Sequence, residues 1–224
     1  MKVSLDHVSK TAKNIYTFWF KAESMPRYTA GQFIELRISH DNKDKRGDKR
    51  FFTLSSSPTE PLLSITTKFT AENGSSFKTA LRALSPGSEL NMASPMGDFV
   101  LPKDPGIPLV FVAGGIGSTP IRSMCKYMQD SGESRNIHII YNASTAEDVA
   151  FRDVFETFDK HFVTVLNQRL QAEKILEIAG QNDDQYIYLS GPEPMVEALH
   201  KDLKNSGVNK KHINTDFFPG YVQV

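Results

Sequence analysis

Twelve residues, Leu109 to Pro120 (LVFVAGGIGSTP), concentrate the chemistry this chain could perform. An aliphatic run, Leu109–Val112, leads into Gly114, Gly115 and Gly117 and then into the start of a helix. Glycines at such a turn remove side chains that would hold a ligand off the backbone, and they accept positive φ. Backbone N–H groups and a helix N-terminus then face one point, which suits a phosphate. Pro120 fits the first helical turn, where its missing N–H costs nothing. It also stands where the third glycine of GxGxxG would be, so the turn is compatible with dinucleotide binding and with an ordinary tight strand-to-helix connection.

Other reactive chemistry is scarce. The single cysteine, Cys125, excludes an internal disulfide, and it excludes a cysteine-ligated iron–sulfur cluster or Cys-rich zinc site supplied by this chain. It falls in an apolar helical pattern and reads as a buried, inert thiol. The six histidines lack ligand spacing, so no metal is expected, and no Ser–His–Asp or Cys–His signature is present. Twenty-six basic residues balance 26 acidic ones, so neither nucleic acid nor an anionic membrane is an expected partner. The basic run 43–50 (KDKRGDKR) reads as a solvated loop, with a docking patch for an acidic partner as the alternative. No apolar run reaches membrane-spanning length and MKVSLDHVSK is not a signal peptide, so a soluble, cytoplasmic protein is expected.

The elements that must position the glycine turn fall into two halves, 1–103 and 104–224, within 224 residues. In the first half, short alternating segments at Ile15–Phe20, Gln32–Ile38, Phe51–Leu54, Leu62–Lys68 and Glu89–Ala93 are separated by turn signals such as Asn73-Gly74 and Pro86-Gly87. One helix is predicted at Ser76–Leu84. The pattern predicts a closed antiparallel β-barrel. Beyond the join PKDPGIP (102–108), continuous apolar runs at Leu109–Val112, Ile137–Tyr141, Val163–Leu166, Tyr186–Leu189 and Ile213–Thr215 alternate with helical patterns at Pro120–Gln129, Ala146–Asp159, Gln171–Ala179 and Glu193–Ser206. Such alternation predicts βαβ units and a parallel sheet covered on both faces. Thr145 and Asp148 form a capping-box-like start, and Pro192 and Gly207 bound the last helix.

A barrel followed by a small parallel-sheet domain, with six motifs in order, resembles the ferredoxin–NADP reductase superfamily over nearly the whole chain. Arg50-Phe51-Phe52-Thr53, ending in Ser57-Pro58, resembles the family's flavin motif Arg-x-Tyr-Ser/Thr. The resemblance implies that Arg50 holds a flavin phosphate, Phe52 lies beside the isoalloxazine and Thr53 sits near N5. Phe52 replaces the family's tyrosine. Thr66, Thr67 and Lys68 correspond to a strand at the flavin edge. Gly74, Ser75, Ser76, Phe77 and Lys78 correspond to the pyrophosphate loop and helix start, with Lys78 where many relatives carry a hydroxyl.

Pro95-Met96-Gly97-Asp98-Phe99 resembles the turn that closes the barrel, a structural role. Gly114, Gly115, Gly117, Ser118, Thr119 and Pro120 match the family's nicotinamide-dinucleotide loop, Gly-Gly-x-Gly-x-Thr-Pro, in full. Tyr141 to Glu156 resembles the segment facing the adenosine ribose. Asn142, Ala143 and Ser144, followed by Glu147 and Asp148, offer little compensation for a 2′-phosphate, which favours NADH over NADPH; Arg152 and Arg169 are the bases that could oppose this. Ser190, Gly191, Pro192 and Met195 resemble the Cys-Gly-Pro-x-x-Met motif beside the nicotinamide, with Ser190 in place of cysteine. Asp216 and Phe218 fall in a segment (216–221) resembling the carboxy-terminal Glu/Asp-x-Phe-x-Gly pattern; Phe218 would cover the flavin and Asp216 would lie near N5.

The resemblance thus implies FAD and a nicotinamide dinucleotide as cofactors. It implies hydride transfer to flavin N5, and electrons leaving to a separate acceptor, either a redox protein or a small oxidant. A reductase of free flavin and a non-catalytic flavin- or nucleotide-binding subunit are the alternatives.

Overall fold

Residues whose apolar side chains alternate inward build the first half. The computed structural model describes residues 1–224 except 42, 70–74, 181 and 219–224, and at Phe218 the backbone alone. Strands β1 (Lys2–Ala12), β2 (Ile15–Ala22), β3 (Phe33–Arg37), β4 (Lys49–Thr53), β5 (Leu63–Lys68) and β6 (Glu89–Met92) pair antiparallel in the order β4-β3-β6-β1-β2-β5. The two edges meet through a Leu54–Ile65 bridge and a 2.8 Å bond from the Ser55 N–H to the Ser64 carbonyl, which closes the barrel. Val3, Leu5, Phe18, Phe20, Ile34, Leu36, Leu63 and Ile65 fill it. Helix α1 (Ser76–Arg82) plugs one end with Phe77 and Leu81.

Strand β1 was not among the segments expected from alternation. Val3 and Leu5 face inward, but the pairing register with β2 shifts between Leu5 and His7, so that Val8 and not His7 lies opposite buried Phe18, which breaks the two-residue period.

The second half is a parallel sheet. Its strands β7 (Leu109–Gly114), β8 (Ile137–Ala143), β9 (Phe162–Leu166), β10 (Tyr186–Pro192) and β11 (Ile213–Phe218) lie in the order β11-β10-β7-β8-β9. Helices α2 (Ser118–Ser131) and α3 (Arg152–Phe155) cover one face over Phe111, Ala113, Ile139 and Tyr141. Helices α4 (Ala172–Ala179) and α5 (Glu193–Asn205) cover the other over Val110, Val112, Ile187 and Leu189. Burial on both faces explains the unbroken apolar runs.

The single helix expected at 146–159 does not form. A 3-10 turn at Ala146–Asp148, the one-turn α3 and a second 3-10 segment at Glu156–His161 take its place. Val149, Ala150 and Phe151 are consecutive and all buried, which one helix face cannot achieve, and Phe151 reaches φ +59° to do it. The Thr145 hydroxyl donates to the Asp148 carboxylate at 2.8 Å and caps no backbone N–H.

The two sheets share a core. Ile15 and Ala30 of the barrel half pack into the cluster under α2, together with Phe99, whose ring meets Tyr188 edge-on at 5.1 Å. Gly31, at φ +101°, is required at this seam: a Cβ there would lie 2.1 Å from the Phe99 carbonyl oxygen. Arg122 of α2 bolts the halves together. Only 7% exposed, it donates from Nη1 to the Ser55 carbonyl at 2.9 Å and pairs with Glu60 through both Nη1 and Nη2. Its guanidinium lies 5.8 Å from the Trp19 ring centroid and 5.9 Å from that of Phe151. Ser123 donates to the Ser56 carbonyl at 2.6 Å, and Thr59 to Asp130 at 2.6 Å.

Candidate active site

In this sheet β7 pairs with β8 on one side and with β10 on the other, so the chain reverses its winding direction at the β7–β10 boundary. Ligands of open parallel sheets bind at the carboxyl ends of strands at such a switch point. Two glycine-bearing segments converge there, 114–117 after β7 and 190–192 at the end of β10. Gly117 permits this convergence: a Cβ on it would lie 2.2 Å from the Ser190 carbonyl oxygen and 2.5 Å from the Gly191 nitrogen. Gly115 has φ +52°, and the direction of its absent Cβ is open for 4 Å. α2 starts on Gly117 without a side-chain acceptor for its first N–H groups. This cradle, bare of side chains and fronted by uncapped donors, fits a pyrophosphate.

Tyr141 holds the turn. Fully buried, it donates its hydroxyl to the Gly115 carbonyl at 2.8 Å and accepts from the Ala150 N–H at 3.2 Å. Burial raises its phenol above the ordinary range, so it remains a donor. Thr119 donates to the Ile116 carbonyl at 3.1 Å, and Ser118, Thr119 and Pro120 are buried, so their side chains shape the turn.

A cleft of about 480 Å³ opens in front of this turn. Gly114, Gly115, Pro192 and Met195 form its floor, Asn142, Ala143 and Ser144 one wall, and Ile15 and Lys68 of the barrel another. Asn142 donates to the Val165 and Gln168 carbonyls at 3.1 and 3.0 Å, tying the segment after β9 to the end of β8. Arg169, exposed, reaches the rim. Arg152 instead pairs with Glu156 at 3.0 Å. The acidic residues beside which a 2′-phosphate was expected to find little compensation are paired. Asp148 accepts from Thr145 and from Lys68 at 3.0 Å, and those bonds hold its carboxyl below the ordinary range. Glu147 meets Lys13 at 3.3 Å.

Ser190 is fully buried beside its β11 neighbour, and its hydroxyl donates to the Asp216 carboxylate at 3.5 Å. Burial pushes the Asp216 carboxyl up to about 6, against the opposing pull of that bond. Gly191 packs on the Gly114 backbone. The Phe218 backbone continues β11, but its side chain, like Gly74, lies outside the described residues.

The barrel residues divide between two places. On β5, Ser64, Thr66 and Lys68 turn toward the second half: Thr66 sits in a hydroxyl chain with Thr17 at 2.8 Å and Ser55 at 2.9 Å, and Lys68 meets Asp148. Thr67 is buried. Thr53 is buried on the strand face that continues to Ser55, and Phe52, on the opposite face, meets Phe77 at 5.9 Å. Phe77 is wholly core, so whatever it offers a ligand is backbone.

Arg50, Ser75, Ser76 and Lys78 form a second, cationic pole. Ser75 caps α1 by accepting from the Lys78 N–H at 3.2 Å, and the Lys78 ammonium donates to the Lys68 carbonyl at 2.7 Å. Arg50 lies 5.2 Å from the Phe77 centroid, and its buried Nε–H has no acceptor among the described residues. An orphaned guanidinium donor fits an anionic ligand. Arg122 and Tyr141 are the residues sequence reasoning missed. An arginine amid the apolar residues of α2, and a tyrosine ending an aliphatic strand, were the available signals.

Residues 111–201 match the family model "Oxidoreductase NAD-binding domain". The chain is 27% identical over 154 residues to the reductase component of propane 2-monooxygenase from Rhodococcus jostii, covering 60% of this chain and 42% of that protein. It is 26% identical over 231 residues to a flavohemoprotein of Oceanobacillus iheyensis, covering 93% and 56%. The chain therefore spans about half the length of these curated relatives. The flavohem-like FAD/NAD-binding domain of nitric oxide dioxygenase from Vibrio cholerae superposes with TM-score 0.82 at 18% identity, over 98% of both chains. No helix among the described residues is long and apolar enough to cross a membrane. A glycine cradle at the switch point of a parallel sheet and an antiparallel barrel packed against it give this chain the fold of that solved FAD/NAD-binding domain, and residues 111–201 are similar to the NAD-binding domain of oxidoreductases.

Proposed function

We propose that this chain is the FAD- and NAD(P)H-dependent electron-transfer unit of a reductase, with residues 1–103 as the flavin domain and 104–224 as the nicotinamide-dinucleotide domain. The observation that carries this reading is the cleft at the switch point, whose floor is the glycine cradle and whose far wall, Ile15 and Lys68, belongs to the barrel. A dinucleotide laid on that cradle has its pyrophosphate on the Gly115–Gly117 turn and its adenosine half toward Asn142–Ser144. Its nicotinamide half lies toward Ser190 and Pro192.

The flavin, when bound, supplies the hydride acceptor N5 and the ability to pass electrons on singly or in pairs. The protein positions and shields. Arg50 holds an anionic phosphate, with Ser75, Ser76 and Lys78 beside it. Phe52 gives the ring an aromatic neighbour, and Thr53 places a hydroxyl on the face toward the second half. Ser190 orients the carboxamide edge, and Asp216, desolvated beside it, takes up a proton near pH 6. The buried seam around Arg122 keeps the two halves at a fixed distance, which is what transfer between two bound rings needs.

NADH is the proposed donor, because the end of β8 carries no base and Arg152 is engaged elsewhere. Arg169 is the residue to watch on the other side of that choice. The electron acceptor is a separate redox partner, in keeping with a relative named as a reductase component.

An anaerobic visible spectrum, before and after one equivalent of NADH and then of NADPH, tests the proposal. A flavin spectrum that bleaches with NADH first is the expected result. A flavin spectrum unchanged by either nucleotide would sink hydride transfer and leave a binding module.

A further inference from the structure

The guanidinium proposed to hold the flavin phosphate already holds an anion from its own chain. Asp44, in the loop between β3 and β4, places Oδ1 at 3.1 Å and Oδ2 at 3.4 Å from Arg50 Nη2. The same carboxylate accepts from the Ser76 N–H at 3.2 Å, from the Arg46 N–H at 2.9 Å and from Arg46 Nη2 at 3.3 Å. Asp44's own N–H donates to Ser76 Oγ at 2.9 Å, and that hydroxyl also meets His40 Nε2 at 3.0 Å. Arg50 Nη1 is turned to the carbonyls of Arg46, Gly47 and Lys49. What Arg50 has left is Nε, buried and without an acceptor among the described residues.

Carboxylate and phosphate compete for the same donors, because both are compact oxyanions recognised by the guanidinium fork. A forked contact to a phosphate needs Nη2 beside Nε, and Asp44 holds Nη2 while carbonyls take Nη1. Burial opposes ionisation of Asp44, but the Arg46 N–H and the charges of Arg46 and Arg50 outweigh it, so the competing group is ionised at neutral pH.

We infer that Asp44 is a resident anion on the flavin-phosphate arginine, displaced when a phosphorylated flavin binds, and that it makes the flavin readily exchangeable. The inference rests on the flavin reading above and adds a determinant of affinity to it. The basic stretch 43–50 is then neither a plain solvated loop nor a docking patch: Asp44, one of its two acidic residues, gates Arg50.

The test is titration of the full chain, stripped of flavin, with FAD, FMN and riboflavin, followed by flavin fluorescence. Asp44→Asn keeps one oxygen, for the Arg46 N–H, gives up the one that accepts from the Ser76 N–H, and removes the charge. It is expected to tighten FAD and FMN by about fivefold or more, since an ion pair of about 1 kcal/mol no longer has to be exchanged. Riboflavin, lacking phosphate, is expected to bind both proteins alike. FAD affinity unchanged or weakened in Asp44→Asn, with wild type binding normally, would overturn the inference and make Asp44 a group that presents Arg50. A riboflavin gain equal to the FAD gain would overturn it as well. No flavin binding by either protein defeats the flavin reading itself, and this inference with it.

Discussion

Replacing Arg122 with methionine removes a buried guanidinium that joins the two halves, while keeping an apolar side chain of similar length. Three hydrogen bonds are lost, one to the Ser55 carbonyl and two to Glu60, along with the stacking on Trp19 and Phe151. The Glu60 side chain is 12% exposed, so the change strands a nearly buried carboxylate. Removing one partner of a buried pair typically costs about 3–5 kcal/mol. Glu60 keeps the Ser57 N–H at 2.7 Å, which argues for the low end, about 3 kcal/mol. Removing both charges, with Arg122→Met and Glu60→Met together, strands only neutral groups and should cost about 1–2 kcal/mol. The double variant is thus expected to be more stable than the Arg122 single variant. Urea unfolding followed through Trp19, the only tryptophan, measures each corner of the cycle, because that ring lies against the guanidinium. A single-variant cost below about 1 kcal/mol, or simple additivity of the two changes, would refute the reasoning, since either result belongs to a solvated surface pair.

Three further outcomes are expected. Gly117→Ala drives a methyl into the backbone of Ser190, which cannot move aside as a side chain tip can; loss of at least about 3 kcal/mol in thermal or urea unfolding, with loss of dinucleotide binding, is the check. Tyr141→Phe leaves the Gly115 carbonyl and the Ala150 N–H without their buried partner. It should destabilise by about 1–3 kcal/mol and raise the dissociation constant for NADH measured by calorimetry. Asp216 titrates near 6 when folded and at 3.8 when unfolded, so between those values the folded state keeps a proton the unfolded state has released. Stability from this group therefore falls as pH rises from about 4 to 6 and is level above, and Asp216→Asn should gain about 1–3 kcal/mol at pH 7.5 and nothing near pH 4 in parallel urea titrations.

Much of the architecture was legible because local rules agreed with the global fold. Continuous aliphatic runs alternating with helical patterns specify a doubly covered parallel sheet, since only burial on both faces rewards such runs. The order of Gly114, Gly115, Gly117 and Pro120 specified a turn that only a strand-to-helix junction uses. Strand β1 and the broken segment 146–161 escaped for a shared reason. A register shift at Leu5–His7 and the left-handed Phe151 each change the period midway, and periodicity is what a linear reading detects.

The candidate site was legible in its parts and not in its assembly. Residue types alone marked the glycine cradle, and the family resemblance marked the Ser190 motif and the arginine of the barrel strand. Only the tertiary structure brought Gly117 against the Ser190 backbone, laid Tyr141 on the Gly115 carbonyl and drew Arg122 across the seam. Only it showed that Asp44 occupies Arg50. Contacts between residues tens of positions apart leave no period and no spacing in the chain. They are decided by which strand ends lie side by side once hydrophobic burial has set the order of the sheets.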